Sequence, residues 1–294
     1  MKAHLALLGT NLFFATNYSA IKYFTSHNYA GPFGINIIRI GASMILFWLL
    51  FLFKKPENKI QKKDFPALLL CAFTAIALNQ MFFIRGLAFT FPIHAALLTL
   101  ITPILITIIA ARILKEKITA PKILGLFLGV LGATLLIGAR EISAPGENPM
   151  AGDILVIISA VAYTFYFILV KPLMNKYSAV QVIRWLFTFG FFMTLPFCYG
   201  EFTQITWDVF TPYDWFYLFM IVIPGTFVAY VFNVYGIQKL SASMAGAYIY
   251  SQPVFAVIIA MVFLKEELSL YKIIAGILIF AGVFLSTLKK NNEA

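Results

Sequence analysis

Few residues in this 294-residue chain could do chemistry, and their spacing argues against an enzyme. The chain has three histidines and two cysteines, with 12 acidic residues against 22 basic ones. Cys71 and Cys198 both sit in apolar runs, and the sequence offers no Cys-x-x-Cys or His-rich spacing for zinc. It also lacks His-Glu-x-x-His, Gly-x-Ser-x-Gly and clustered carboxylates, so metal hydrolysis and acyl transfer have no source. No catalytic residue, metal or cofactor is expected. Asp153, Glu116 and Glu266 lie at the ends of apolar runs, never in their middles. The candidate for protonation is His94, near the start of the fourth run, where an imidazole could sense pH.

What remains is polar, uncharged and aromatic. Asn11 and Tyr18 are seven apart and share one helical face; the third run offers Asn79 and Phe83. Ser159, Tyr163 and Tyr166 fall at i, i+4 and i+7. Tyr230 and Asn233 form another pair, and Tyr248, Ser251 and Gln252 follow the same rule. Polar groups are costly against lipid and therefore turn inward. Together these side chains would line an aromatic, uncharged substrate cavity suited to a small amphipathic solute.

Arg39 and Arg184 are the basic residues well inside apolar runs. A buried guanidinium can grip a carboxylate bidentately, but the two occupy equivalent places, which favours a shared scaffold role. Arg85, near the outer end of the third run, is a candidate gate. Pro103 and Pro253 are candidate hinges, since each removes a helical hydrogen bond and frees a carbonyl four residues back.

The elements that must position these residues follow from composition. The chain is 61% hydrophobic and 12% charged, with a mean hydropathy of +0.89. That leaves too little polar surface to coat a water-soluble globule. Apolar runs long enough to cross a bilayer are expected at 3–23, 33–53, 67–88, 93–112, 121–139, 152–171, 181–199, 213–236, 243–263 and 270–288. The expected fold is all-α: a polytopic membrane protein of ten transmembrane helices. The first run lacks a cleavage site and reads as a retained helix.

Fifteen of the 22 basic residues fall in one set of alternate loops and five in the other. The positive-inside rule then puts both termini in the cytoplasm of a plasma-membrane protein. The +10 charge is accounted for by these loops, so no nucleic-acid partner is expected; the partners are a small-molecule substrate and membrane lipid. Gly125-x-x-x-Gly129 with Gly132, and Gly276 with Gly282, suit close helix packing, within a monomer or across a weak homodimer.

A shift of 150 brings the halves into register. Gly86 falls on Gly236, Pro103 on Pro253, Glu116 on Glu266 and Gly132 on Gly282. Two five-helix units, 1–146 and 147–294, make the chain. Five is odd, so the second must enter the membrane inverted, as in secondary transporters.

The repeated residues resemble the EamA family of the drug/metabolite transporter superfamily. They are Thr16 to Lys22, Ile38-Arg39, Ala95 to Pro103 and Leu114 to Thr119, with Lys171, Arg184, Gln252-Pro253 and Leu264 to Glu267 in the second unit. The resemblance spans nearly the whole chain and implies transport of small metabolites, often amino acids, commonly outward. A nucleotide-sugar or lipid-linked substrate carrier of the same superfamily is the alternative. Family members often carry a carboxylate before one or other of the two prolines. Thr102 and Gln252 stand there instead, which weakens a proton-coupled mechanism.

Overall fold

The computed structural model describes residues 1–26, 30–53, 59–89, 98–138, 149–264 and 270–288. Among them there are ten helical segments and no strand. They are α1 (Lys2–Ser26), α2 (Pro32–Phe53), α3 (Phe65–Ala72, a π turn Phe73–Leu78, then Asn79–Phe89), α4 (Ile101–Ile113) and α5 (Ala120–Gly138). The second half gives α6 (Pro149–Lys176), α7 (Ala179–Thr203) and α8 (Pro212–Val222, a π turn Ile223–Val228, then Ala229–Lys239). It closes with α9 (Ala242–Ala247, a 3-10 turn Tyr248–Tyr250, then Ser251–Leu264) and α10 (Leu270–Thr287). Five of these, α2, α3, α6, α7 and α8, are long and apolar enough to cross a membrane on the described residues alone.

The bundle is built from antiparallel helix pairs. Numbering rises along one partner as it falls along the other. Gly125 of α5 faces Gly282 of α10, while Gly132 faces Ala275. Phe47 of α2 packs tilted against Phe187 of α7 at 5.1 Å, and Trp48 edge-on against Trp185 at 5.8 Å. α3 lies along α6 and α1 along α8. Without a hydrophobic drive between helices in lipid, close packing must hold such pairs, and small residues permit it. A Cβ on Gly282 would stand 2.6 Å from the Gly125 carbonyl oxygen. The glycine stripe of α5 is thus filled from within the chain, by α10 and by the ring of Tyr250.

The contacts are also reciprocal. Gly86 abuts Val156, and Gly236, 150 positions on, abuts Leu7. Asn79 donates to the Ser159 carbonyl at 3.1 Å, and Thr10 donates to the Ala229 carbonyl at 3.2 Å. Each pair is the other's counterpart to within one residue of register, since Gly86 and Asn79 lie 150 positions from Gly236 and Ala229, whereas Leu7 and Thr10 lie 149 from Val156 and Ser159. Outside, the bundle shows large apolar side chains such as Phe127, Phe197 and Phe284, all more than 60% exposed, as a lipid-facing surface requires.

Candidate functional site

Both halves carry a π turn at the same repeat position, Phe73–Leu78 and Ile223–Val228. A π turn inserts one residue into the helical ladder and changes the face that follows. In α8 the cause is local. Pro224 lacks an N–H, Thr226 returns its hydroxyl to the Ile221 carbonyl at 2.7 Å, and the Gly225 carbonyl accepts from Asn17 of α1 at 3.0 Å. Gly225 is the residue that lets α1 approach, because a Cβ there would strike the Asn17 side chain. The helix resumes at Asn79-Gln80 in α3 and at Ala229-Tyr230 in α8.

Those resumed turns meet at the centre of the bundle. Arg39 Nη2 of α2 donates to Gln80 Oε1 at 2.6 Å, and Gln80 Nε2 donates to the Tyr230 hydroxyl at 2.7 Å. All three side chains are buried. The Tyr230 ring is fixed edge-on by Phe14 at 5.7 Å and Phe187 at 5.0 Å. Beside it, Asn233 Nδ2 points to the Tyr163 hydroxyl at 3.4 Å, and Tyr163 packs against Tyr166 at 5.6 Å. The Tyr166 hydroxyl and Asn233 Oδ1 are buried with no hydrogen-bond partner among the described residues. So are the Asn36 amide and the Ser43 hydroxyl, which share a face of α2 with Arg39. Unmet polar groups at this depth are expensive.

The structure distributes the other expected residues as follows. Asn79 donates to the Ser159 hydroxyl at 3.0 Å, so these two satisfy each other between α3 and α6. Asn11 is buried and spends its Nδ2 on the Leu7 carbonyl at 2.8 Å. Phe83 is half-buried on α3, and Gln252 is half-buried on α9. The Tyr18 side chain and the whole of His94 lie outside the described residues.

Pro103 and Pro253 are each the third residue of a helical segment, Ile101–Ile113 and Ser251–Leu264. Proline is tolerated in a first turn because those N–H groups have no intrahelical acceptor. The break in α9 is the 3-10 turn Tyr248–Tyr250, where Ser251 Oγ donates to the Tyr248 carbonyl at 2.6 Å. His4 Nδ1 meets the Tyr248 hydroxyl at 2.5 Å, pinning this break to α1. Spacing gave no signal for His4; its contact lies 244 residues away in sequence.

The two span arginines differ in the neighbours described for them. Arg39 reaches inward to Gln80. Arg184 lies over aromatic rings, 3.9 Å from the Phe51 centroid and 4.4 Å from that of Trp48. Its repeat position did not decide its environment; the α2 aromatics beside it did. Arg85 is exposed and stacks on Phe89 at 4.5 Å.

The ends of the bundle are tied by polar clamps. At the basic end, Asp64 accepts from the Tyr177 hydroxyl at 2.6 Å and from Lys176 at 2.9 Å, and its hydrogen bond with Tyr177 holds that phenol above its ordinary pKa. An open cavity of about 420 Å³ beside them is lined by Lys59, Gln61, Lys63, Lys176 and Tyr177. Lys171 donates to the Ile237, Gln238 and Leu240 carbonyls at the end of α8. After α4, Lys115 adopts φ 56°, a left-handed turn that swings Glu116 onto the start of α9. The Glu116 carboxylate accepts from Ala242 N at 2.7 Å, Ser243 N at 3.2 Å and Ser243 Oγ at 2.5 Å. A carboxylate is favoured there by the helix N-terminus. At the opposite end, Glu201 of α7 caps the start of α2, accepting from Phe33 N at 2.7 Å.

A ten-helix bundle with a lipid-facing exterior and a polar centre is a multi-pass membrane protein. The EamA-like transporter family matches residues 1–138 and again 150–288. The uncharacterized transporter YetK of Bacillus subtilis is 30% identical over 251 residues, spanning 85% of this chain and 76% of that one. An uncharacterized transporter of Archaeoglobus fulgidus is 24% identical over 290 residues, covering 99% of this chain and 100% of its own. One solved crystal structure shares the fold with a TM-score of 0.79 at 18% identity, covering 97% of this chain and 96% of the other. The chain belongs to the EamA-like transporter family as two tandem copies, and it is a membrane transporter of the drug/metabolite transporter superfamily.

Proposed function

We propose that the chain is a secondary carrier that exports small metabolites, amino acids foremost, across the plasma membrane by alternating access. Its two five-helix units, 1–146 and 147–294, are inverted repeats that rock about a site between them. The observation that carries this reading is the reciprocity of contacts. Counterpart helices α5 and α10 run antiparallel, and Gly86–Val156 and Gly236–Leu7 are one contact made twice to within one residue of register. A pair of units related in that way has two equivalent closures, one for each side of the membrane. Orientation follows from charge, with both termini and the Lys59–Lys63 end in the cytoplasm.

The substrate site is the centre, lined by Tyr163, Tyr166, Tyr230 and Asn233, with Asn11, Tyr18, Asn79, Phe83, Ser159, Tyr248, Ser251 and Gln252 around it. Tyr166 and Asn233 present unmet oxygens beside aromatic faces, a lining that suits an ammonium group. Pro103 and Pro253 mark the breaks where the α4 and α9 helices pivot, and Arg85 stands at the outer mouth.

Counterflow in proteoliposomes tests the reading. A panel of labelled L-amino acids should include at least one with saturable uptake that is accelerated by the same solute inside. Linear, unsaturable flux would indicate a pore. No flux for any member would overturn the amino-acid assignment.

A further inference from the structure

The open cavity at the basic end is walled by both halves of the chain, by Lys59, Gln61 and Lys63 from the first and by Lys176 and Tyr177 from the second. Its volume of about 420 Å³ is that of a small-molecule site. It lies at headgroup depth, because one membrane-spanning stretch begins at Lys62 and another ends at Lys176. A loop charge bias fixes orientation without requiring its lysines to converge. Here three ammonium groups converge, and among the described residues the lining holds no carboxylate. The wall behind them is already ordered. Tyr177 accepts from Gln61 N at 3.0 Å and donates to Asp64 Oδ2 at 2.6 Å, while Lys176 donates to Asp64 Oδ1 at 2.9 Å. Both oxygens of buried Asp64 are thus engaged within the wall, and Lys59 and Lys63 stand exposed beside it.

Converging ammonium groups suit a phosphate, which they hold as point charges. The adjoining surface says which kind. Phe65, Leu69 and Phe73 fall at i, i+4 and i+8 and form a stripe that starts two residues after Lys63 and runs into the apolar span. Leu69 is 39% exposed and Phe73 43%, and Phe65 packs edge-on against Trp185 at 5.2 Å, an amphipathic ring of the kind found at the interface. A soluble phosphate has no use for such a stripe, whereas a lipid tail does. We propose that this cavity binds the phosphate headgroup of an anionic phospholipid, whose acyl chains lie along Phe65, Leu69 and Phe73. Because residues of both halves line the cavity, the bound headgroup joins them at this end of the bundle. The site does not depend on which solute the chain carries.

The test titrates the delipidated full chain in detergent and reads its melting temperature. The probes are dioleoylphosphatidylglycerol, dioleoylphosphatidylcholine, sn-glycerol 3-phosphate and inorganic phosphate. The first, an anionic lipid, should raise the melting temperature saturably; the zwitterionic lipid with the same chains and the two water-soluble phosphates should not. The double variant Lys59→Gln/Lys63→Gln changes two exposed side chains, so its melting temperature without lipid should match wild type. Its half-saturation for phosphatidylglycerol should be at least about tenfold weaker. Lys59→Arg/Lys63→Arg keeps the charge and should keep the binding. Lys115→Gln/Lys239→Gln removes two other exposed lysines, outside the cavity lining, and should bind as wild type does.

Equal shifts from the two lipids, or none from either, would overturn the proposal. So would a shift reproduced by inorganic phosphate or sn-glycerol 3-phosphate, which would make the cavity a site for soluble phosphates. Equal weakening by the Lys59/Lys63 and Lys115/Lys239 variants would reduce the effect to general surface charge and overturn it as well.

Discussion

Gln80 donates to the Tyr230 hydroxyl at 2.7 Å although 150 residues separate them in the chain, and that separation is the repeat length. In a molecule made of two like halves, a residue can touch its own counterpart only where the halves meet. Tyr250 and Leu100 make a second such contact, at 3.4 Å. The polar centre of this transporter is therefore the seam between its two copies. The π turns that precede Gln80 and Tyr230 set both residues into it.

Removing the Tyr230 hydroxyl should destabilise the fold. Tyr230→Phe strands the Gln80 amide N–H in a buried place, at a cost of about 1–3 kcal/mol. Thermal unfolding in detergent measures it; an unchanged melting temperature would mean that the bond is dispensable.

The glycine seam between α5 and α10 offers a paired test. A Cβ at Gly282 would meet backbone of α5, whereas nothing lies within 4 Å of one at Gly276. Gly282→Ala should cost about 1–3 kcal/mol through overpacking. Gly276→Ala should be neutral or gain up to about 1 kcal/mol from helix propensity. Similar losses at both positions would contradict the seam.

Glu116 ties the α4–α5 turn to α9 through three hydrogen bonds. Glu116→Ala should lower stability by about 2–3 kcal/mol, as expected for charge-assisted bonds to a helix start. Lys115→Gly should be tolerated, because φ 56° suits glycine. Limited proteolysis at the turn would follow both.

His4→Gln and Tyr248→Phe both remove the pin between α1 and the α9 break. Each should weaken packing by about 1 kcal/mol, and the double variant should lose little more than either single one. Strictly additive losses would show that the two side chains act separately.

Much of this was legible in the sequence. Ten spans follow from hydropathy, the two units from the shift of 150, and the inward turn of Ser159, Tyr163, Tyr166, Tyr230 and Asn233 from helical spacing. The π turns were not legible. Phe73–Leu78 holds no proline or glycine, and hydropathy says nothing about backbone hydrogen-bond register. The stripe through Asn79 and Phe83 follows one face of the resumed helix, whereas Gln80, one position round from it, carries the central contact. Sequence symmetry also hid the divergence of Arg39 and Arg184: equivalent positions kept the residue type while the neighbours changed. His4 was passed over because its partner is remote in the chain.

The most direct measurement is counterflow kinetics of the best labelled amino acid in proteoliposomes, comparing wild type with Tyr163→Phe and Asn233→Ala. A carrier with its site at the seam predicts normal insertion with weaker half-saturation for Tyr163→Phe and Asn233→Ala, by about tenfold where a buried hydrogen bond to the solute is lost. Unchanged kinetics in both variants would place the substrate elsewhere in the bundle.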